Sequence, residues 1–83
     1  MSNNLVVVSK EQCVKCNMTK KFLDSKEIEY ENKMIDVYSD ENKDLIQQFR
    51  DAGFSSFPVV FPSGMDDWSD AWCDYRLDKL RAL

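Results

Sequence analysis

The sequence predicts an α/β domain of order β-α-β-α-β-β-α, a small mixed four-stranded sheet with helices packed on it. Three observations predict it. A Val-rich run, Leu5-Val6-Val7-Val8, is followed by a segment whose apolar residues recur every four positions. A second helical stripe runs up to Gly53. Two late apolar runs then flank the turn Pro62-Ser63-Gly64. Strands alternating with helices join by right-handed crossovers into a parallel pair, and two adjacent late strands form an antiparallel hairpin. A chain of 83 residues allows one domain, residues 1–83.

The first run is short, apolar and bounded by polar residues, so it reads as a strand buried on both faces. Ser9-Lys10-Glu11-Gln12 is a loop. From Cys13 the period changes: Val14, Met18 and Phe22, with Leu23, describe one apolar helix face reaching about Lys26. Residues 28–37 read as extended, with Ile28, Tyr30, Met34, Ile35 and Val37 as apolar positions and Glu31-Asn32-Lys33 weakening the strand in its middle. Asp40-Glu41-Asn42 suits a helix start, where acidic side chains meet the positive helix end. Leu45, Ile46, Phe49 and Ala52 carry that helix to Gly53, because a left-handed residue after a helix is cheapest as glycine. Pro58 opens the run Val59-Val60-Phe61, at the strand position that tolerates proline. Residues 65–72 are expected to form the last strand, and Leu77, Leu80 and Leu83 a short terminal helix.

Composition excludes several functions. The net charge of -4 argues against a nucleic-acid partner, since phosphate binding needs clustered Lys and Arg. The first run is too short for a membrane span or a secretory signal, and Met1-Ser2-Asn3-Asn4 lacks a basic start. The acidic stretches at residues 27–31 and 66–78 read as solvated surface. The chain has no histidine, which removes Ser-His and Cys-His hydrolases in their usual forms. Its three cysteines, Cys13, Cys16 and Cys73, are poor material for a secreted disulfide framework.

Cys13-Val14-Lys15-Cys16 falls at the seam between strand and helix. Two intervening residues at a helix start bring the sulfurs close enough to close a small ring. Free N–H groups and the helix dipole favour an anion at the first position. A thiol there titrates near or below about 7 instead of about 8.5. Cys16, one turn in, is placed to resolve a mixed disulfide. Lys15 adds a positive charge beside the pair. A structural disulfide and a zinc site compete with this redox reading. Zinc would lack a fourth ligand other than a carboxylate, and a strand-to-helix junction in an alternating chain favours the redox dithiol.

These residues resemble the thioredoxin superfamily, and more narrowly the NrdH-redoxins, over nearly the whole chain. The segment from Val8-Ser9-Lys10 through Cys16 resembles the family's active-site stretch. Gly53-Phe54-Ser55-Ser56-Phe57-Pro58-Val59-Val60 resembles the segment with the superfamily's cis-proline, although on pattern alone an X–Pro bond is expected trans. Trp72-Cys73-Asp74-Tyr75-Arg76-Leu77-Asp78-Lys79 resembles the C-terminal signature W-S-G-F-R-P-D-K, with Trp72, Tyr75, Arg76, Asp78 and Lys79 matching. Cys73, Asp74 and Leu77 depart from its serine, glycine and proline. Glutaredoxins proper carry C-P-Y-C and a Gly-Gly after the third strand; Val14-Lys15 and the sequence Gly64-Met65-Asp66-Asp67 replace them here.

The resemblance implies a thioredoxin-like fold and a thiol–disulfide oxidoreductase with Cys13 and Cys16 as the catalytic pair. It implies partner contacts at Lys10, Val14, Lys15, Phe57, Pro58, Trp72 and Arg76. It further implies a cytoplasmic, monomeric dithiol carrier that needs no cofactor or metal, with thioredoxin reductase as electron donor and ribonucleotide reductase as acceptor. The alternatives are a glutathione-dependent glutaredoxin and a non-catalytic interaction module of the same fold. Cys73 reads as a small packing residue, with a third redox thiol as the sharper reading.

Overall fold

A computed structural model describes residues 4–83, so the N-terminal reading of Met1-Ser2-Asn3 lies outside the described residues. The elements are β1 (Val6–Ser9), α1 (Val14–Ser25), β2 (Glu31–Met34), α2 (Lys43–Asp51) after a 3-10 turn at Asp40–Asn42, β3 (Val59–Phe61), β4 (Trp72–Cys73) and α3 (Leu77–Arg81). They form a four-stranded sheet in the order β2-β1-β3-β4. β1 pairs parallel with β2 and antiparallel with β3, and β4 closes the expected antiparallel hairpin on β3. Among the described residues, no helix is long and apolar enough to cross a membrane.

The strand period of two divides the core into two layers. Val7, Val60 and Trp72 point to one face and pack with Leu5, with Leu23 of α1 and with Leu80 of α3. Val6, Val8, Val59 and Phe61 point to the other and pack with Ile35 and with Phe49 of α2. The continuous apolar run of β1 is thus explained: helices cover both of its sides. Phe49 sits at the centre of an aromatic layer, with ring centroids 5.4 to 6.3 Å from those of Phe54, Phe57, Phe61 and Trp68.

α2 ends as its glycine requires. Gly53 adopts φ 88°, its N–H donates to Arg50 O at 3.0 Å, and the Phe54 N–H donates to Phe49 O at 2.7 Å. Those two bonds and the Phe49–Phe54 ring contact make a Schellman stop. α1 ends with the same two bonds, Glu27 N–H to Asp24 O and Ile28 N–H to Leu23 O, but with Glu27 at φ 56° in the left-handed position.

Three expectations are corrected. The buried face of α1 is Cys16, Thr19 and Leu23, not the stripe beginning Val14 and Met18, which are 72% and 42% exposed. Thr19 is buried because its hydroxyl donates to Lys15 O at 2.9 Å within its own helix, so its polar atom needs no water. The second strand lies over Glu31–Met34, the residues expected to weaken it. It is an edge strand whose four residues are all exposed, while the apolar residues before and after it, Ile28, Tyr30 and Ile35, reach the two core layers. The last strand is only Trp72–Cys73. Residues 65–71 turn instead, because Trp68 Nε1–H donates to Met65 O and Asp67 accepts from Ser69 N–H and Oγ–H, bonds that replace a ladder.

Candidate active site

β1 delivers the chain to the turn Glu11-Gln12, where Gln12 takes φ 54° and reverses the backbone into α1. Cys13 follows in extended conformation and caps the helix. Its Sγ accepts the Cys16 N–H at 3.1 Å and its carbonyl accepts the Asn17 N–H at 3.1 Å. A sulfur in that position meets the unpaired N–H groups of the first helical turn, which stabilise a thiolate more than a thiol. The two sulfurs are joined in a disulfide, with the Cα atoms 5.2 Å apart. Cys13 keeps 8% of its surface exposed and Cys16 none, so an incoming sulfur reaches Cys13 first.

Val14 and Met18, four apart, lie on one helix face and form an apolar shoulder beside the disulfide. Lys10 Nζ lies 5.8 Å from the Phe57 ring centroid, and Phe57 rests edge-on against Phe49. The Phe57-Pro58 bond is cis, and Pro58 is buried.

The sequence places Lys15 as a free charge; the structure pairs it. Lys15 Nζ is 2.9 Å from Asp74 Oδ1, and the Asp74 N–H donates to Pro58 O at 2.8 Å. The C-x-x-C turn, the proline segment and the C-terminal segment are thereby linked through one residue. The Lys15 ammonium, and then the Tyr75 N–H, hold the Asp74 carboxyl below the usual carboxylate range. Trp72 points away from the exposed ground into the core layer beneath α1 and α3. Arg76 turns its guanidinium onto Asp78, with Nε and Nη2 at 3.3 and 3.2 Å from the two carboxylate oxygens. Cys73 is a free, half-buried thiol packed against the aromatic layer.

An open groove of about 670 Å³ runs from Lys10, Glu11 and Gln12 to the stretch from Met34 to Tyr38. Lys10 is its one cation, and Glu11 and Asp36 line it with carboxylates. Among the described residues, no cluster of His, Cys, Asp or Glu is placed to hold a metal ion.

Two residues of this ground escaped the sequence reading. Met18 is spaced from Val14 and Phe22 like a buried stripe, which points it to the core, yet it is exposed. Asp74 stands in the sequence only as a departure from a turn glycine, and nothing in its local sequence points to Lys15.

The Glutaredoxin family matches residues 5–65, well over half of the chain. No curated protein sequence matches it significantly. Among solved structures, the chain is similar to NrdH-redoxin from Escherichia coli, a glutaredoxin-like protein described by its thioredoxin-like activity profile. The TM-score is 0.71 at 25% identity, over 95% of this chain and 92% of that one. It is similar to the same degree to glutaredoxin grx-1 from Archaeoglobus fulgidus, with TM-score 0.72 and 25% identity over 98% of this chain and 85% of that one. Glutaredoxin 1 from Francisella tularensis shares the fold, at TM-score 0.63 and 16% identity over 94% and 87% of the two chains.

Proposed function

The chain belongs to the glutaredoxin family, and from that membership we propose that it is a dithiol electron carrier of the NrdH-redoxin kind, reduced by thioredoxin reductase and oxidised by ribonucleotide reductase. The observation that carries this reading is the asymmetric pair at the start of α1. Cys13 is helix-capped and partly open, and Cys16 is sealed beneath it.

In the reduced protein, the Cys13 thiolate attacks a disulfide of the acceptor. A mixed disulfide forms, and the acceptor's first sulfur leaves as a thiolate. The Cys16 thiolate then attacks Cys13 Sγ, breaking the mixed disulfide and releasing the second sulfur. Two electrons have passed to the acceptor, and the Cys13–Cys16 disulfide remains. A reductase returns both electrons and the protons. No cofactor or metal takes part.

Lys10, Val14, Lys15, Phe57 and Arg76 are the residues proposed to meet partners, with Met18 added to the apolar shoulder and the buried Pro58 and Trp72 supporting that ground from beneath. The reading treats residues 1–83 as one monomeric domain whose disulfide end stays open to larger proteins. It places the protein in the cytoplasm, where a reducing pool keeps such dithiols charged.

The two 25%-identical neighbours, one an NrdH-redoxin and one a glutaredoxin, do not separate the two kinds of reductant. The groove beside Cys13 favours glutathione as the second reading, because it is open and adjacent. Its charges oppose that reading: glutathione brings two carboxylates to a lining with one lysine and two acids. The test of the proposed acceptor is trapping. Cys16→Ser should accumulate a mixed disulfide between Cys13 and oxidised ribonucleotide reductase, and Cys13→Ser should form none. Absence of the adduct with Cys16→Ser, in protein whose Cys13 still forms a mixed disulfide with a small disulfide, contradicts the acceptor.

A further inference from the structure

Asp74 takes no part in the exchange just described, yet three bonds fix it, one of them to the helix that carries the pair. It follows β4 at φ 74°, in the left-handed region that favours glycine and costs an L-residue about 1–2 kcal/mol. Its N–H is fixed by Pro58 O at 2.8 Å, and its Oδ1 accepts the Tyr75 N–H at 2.7 Å. With the backbone so clamped, the carboxylate meets Lys15 Nζ at 2.9 Å. Both groups are substantially exposed, so the pair adds only about 0–1 kcal/mol to stability, too little to account for the strained backbone. What the pair controls is the place of a charge.

Lys15 lies between the two cysteines, and an unpaired ammonium beside a reactive cysteine stabilises its thiolate. Stabilising the thiolate stabilises the reduced form and makes a dithiol pair more oxidising. Three other charged side chains near this end of the molecule are placed differently. Lys10 lies over the Phe57 ring, Arg76 is forked onto Asp78, and Glu11 sits exposed in the turn before Cys13.

We propose that Asp74 is a positioning residue for the dithiol: by binding the Lys15 ammonium it withholds that charge from the Cys13 thiolate and keeps the pair a better electron donor than its C-x-x-C turn alone would be. This rests on the redox reading of Cys13 and Cys16, but on no particular partner.

The test is the equilibrium in which the protein disulfide and two glutathione thiols give the protein dithiol and one glutathione disulfide. It is read by alkylating free thiols across glutathione redox buffers. Asp74→Asn should shift it toward the dithiol by about three- to tenfold, which is about 15–30 mV at 29.6 mV per tenfold. Asp74→Gly, which suits the left-handed backbone, should shift it the same way in a protein at least as stable. In a Lys15→Gln background, Asp74→Asn should shift it by less than about twofold, because the charge it positions is gone. Unmoved potentials in both single variants overturn the proposal, and so does an equal shift with and without Lys15. A wild-type pair that equilibrates with neither glutathione nor dithiothreitol buffers overturns the redox reading and this one with it. A wild-type pair that equilibrates while the variants match it overturns this one alone.

Discussion

Phe49→Ala removes the ring on which the α2 side of the sheet is built. Phe49 is 1% exposed and touches four aromatic rings, the closest being Trp68 at 5.4 Å between centroids. Truncating a buried Phe costs about 3–5 kcal/mol in lost transfer energy and residual cavity. The upper end applies here, because the neighbours are rigid rings held by β3 and by the Schellman stop and collapse poorly into the space. A chain of 83 residues is stable by about 4–12 kcal/mol, so the substitution removes a large fraction of the total. At about 4–8 °C per kcal/mol for a domain of this size, Tm should fall by on the order of 20 °C. Urea unfolding followed by tryptophan fluorescence is a direct assay, since Trp68 lies against the altered site. Phe49→Leu, which keeps most of the volume, should cost about 1.5 kcal/mol or less and leave insulin disulfide reduction near the wild-type rate. A loss below about 1 kcal/mol for Phe49→Ala would refute the central place given to this ring.

Three further expectations can be checked with the same purified protein. Glu27→Gly relieves the left-handed backbone after α1 and should raise stability by roughly 0.5–1 kcal/mol in urea unfolding; a loss would mean that the Glu27 side chain supplies more than its φ of 56° takes away. Cys73→Ser should leave insulin disulfide reduction intact, because Cys73 packs against the aromatic layer and is bonded to neither active-site sulfur; a large loss would make it a working third thiol. The Asp78 carboxyl is lowered by the Arg76 hydrogen bond and the Asp74 carboxyl by Lys15. The folded state therefore binds fewer protons than the unfolded one in that range. The stability these groups contribute is fully present above the ordinary carboxylate value of about 3.9 and is lost as pH falls through the lower folded values. Urea midpoints from pH 6 downward should drop less steeply in Asp78→Asn than in the wild type, and equal slopes would contradict the assignment.

Much of the architecture was legible because it rests on local chemistry. The Val-rich β1 declared a strand covered on both faces, Gly53 marked the end of α2, and Pro62-Ser63-Gly64 marked the end of β3, though the connection to β4 runs on to residue 71. The misreadings share a cause: each residue's surroundings are set by tertiary partners rather than by its neighbours in sequence. Glu31, Asn32 and Lys33 make a strand because β1 offers them a parallel edge, not because they favour one. Val14 and Met18 mimic a core stripe, while Thr19 satisfies its hydroxyl internally and takes the buried position. Residues 65–71 bond among themselves before they can extend β4.

The site divides in the same way. Spacing and the strand-to-helix seam pointed to Cys13 and Cys16, because a helix start acts on a sulfur through local geometry. The cis form of the Phe57-Pro58 bond followed from resemblance and not from pattern. The Lys15–Asp74 pair joins distant segments, and no periodicity reports it.

The measurement that tests the account most directly is NADPH oxidation with this protein, thioredoxin reductase and a disulfide substrate, run beside the same assay with glutathione and glutathione reductase. Turnover with thioredoxin reductase and not with glutathione is the predicted result. Turnover with glutathione alone would contradict it, and would mean that the groove beside Cys13 binds glutathione despite Glu11 and Asp36.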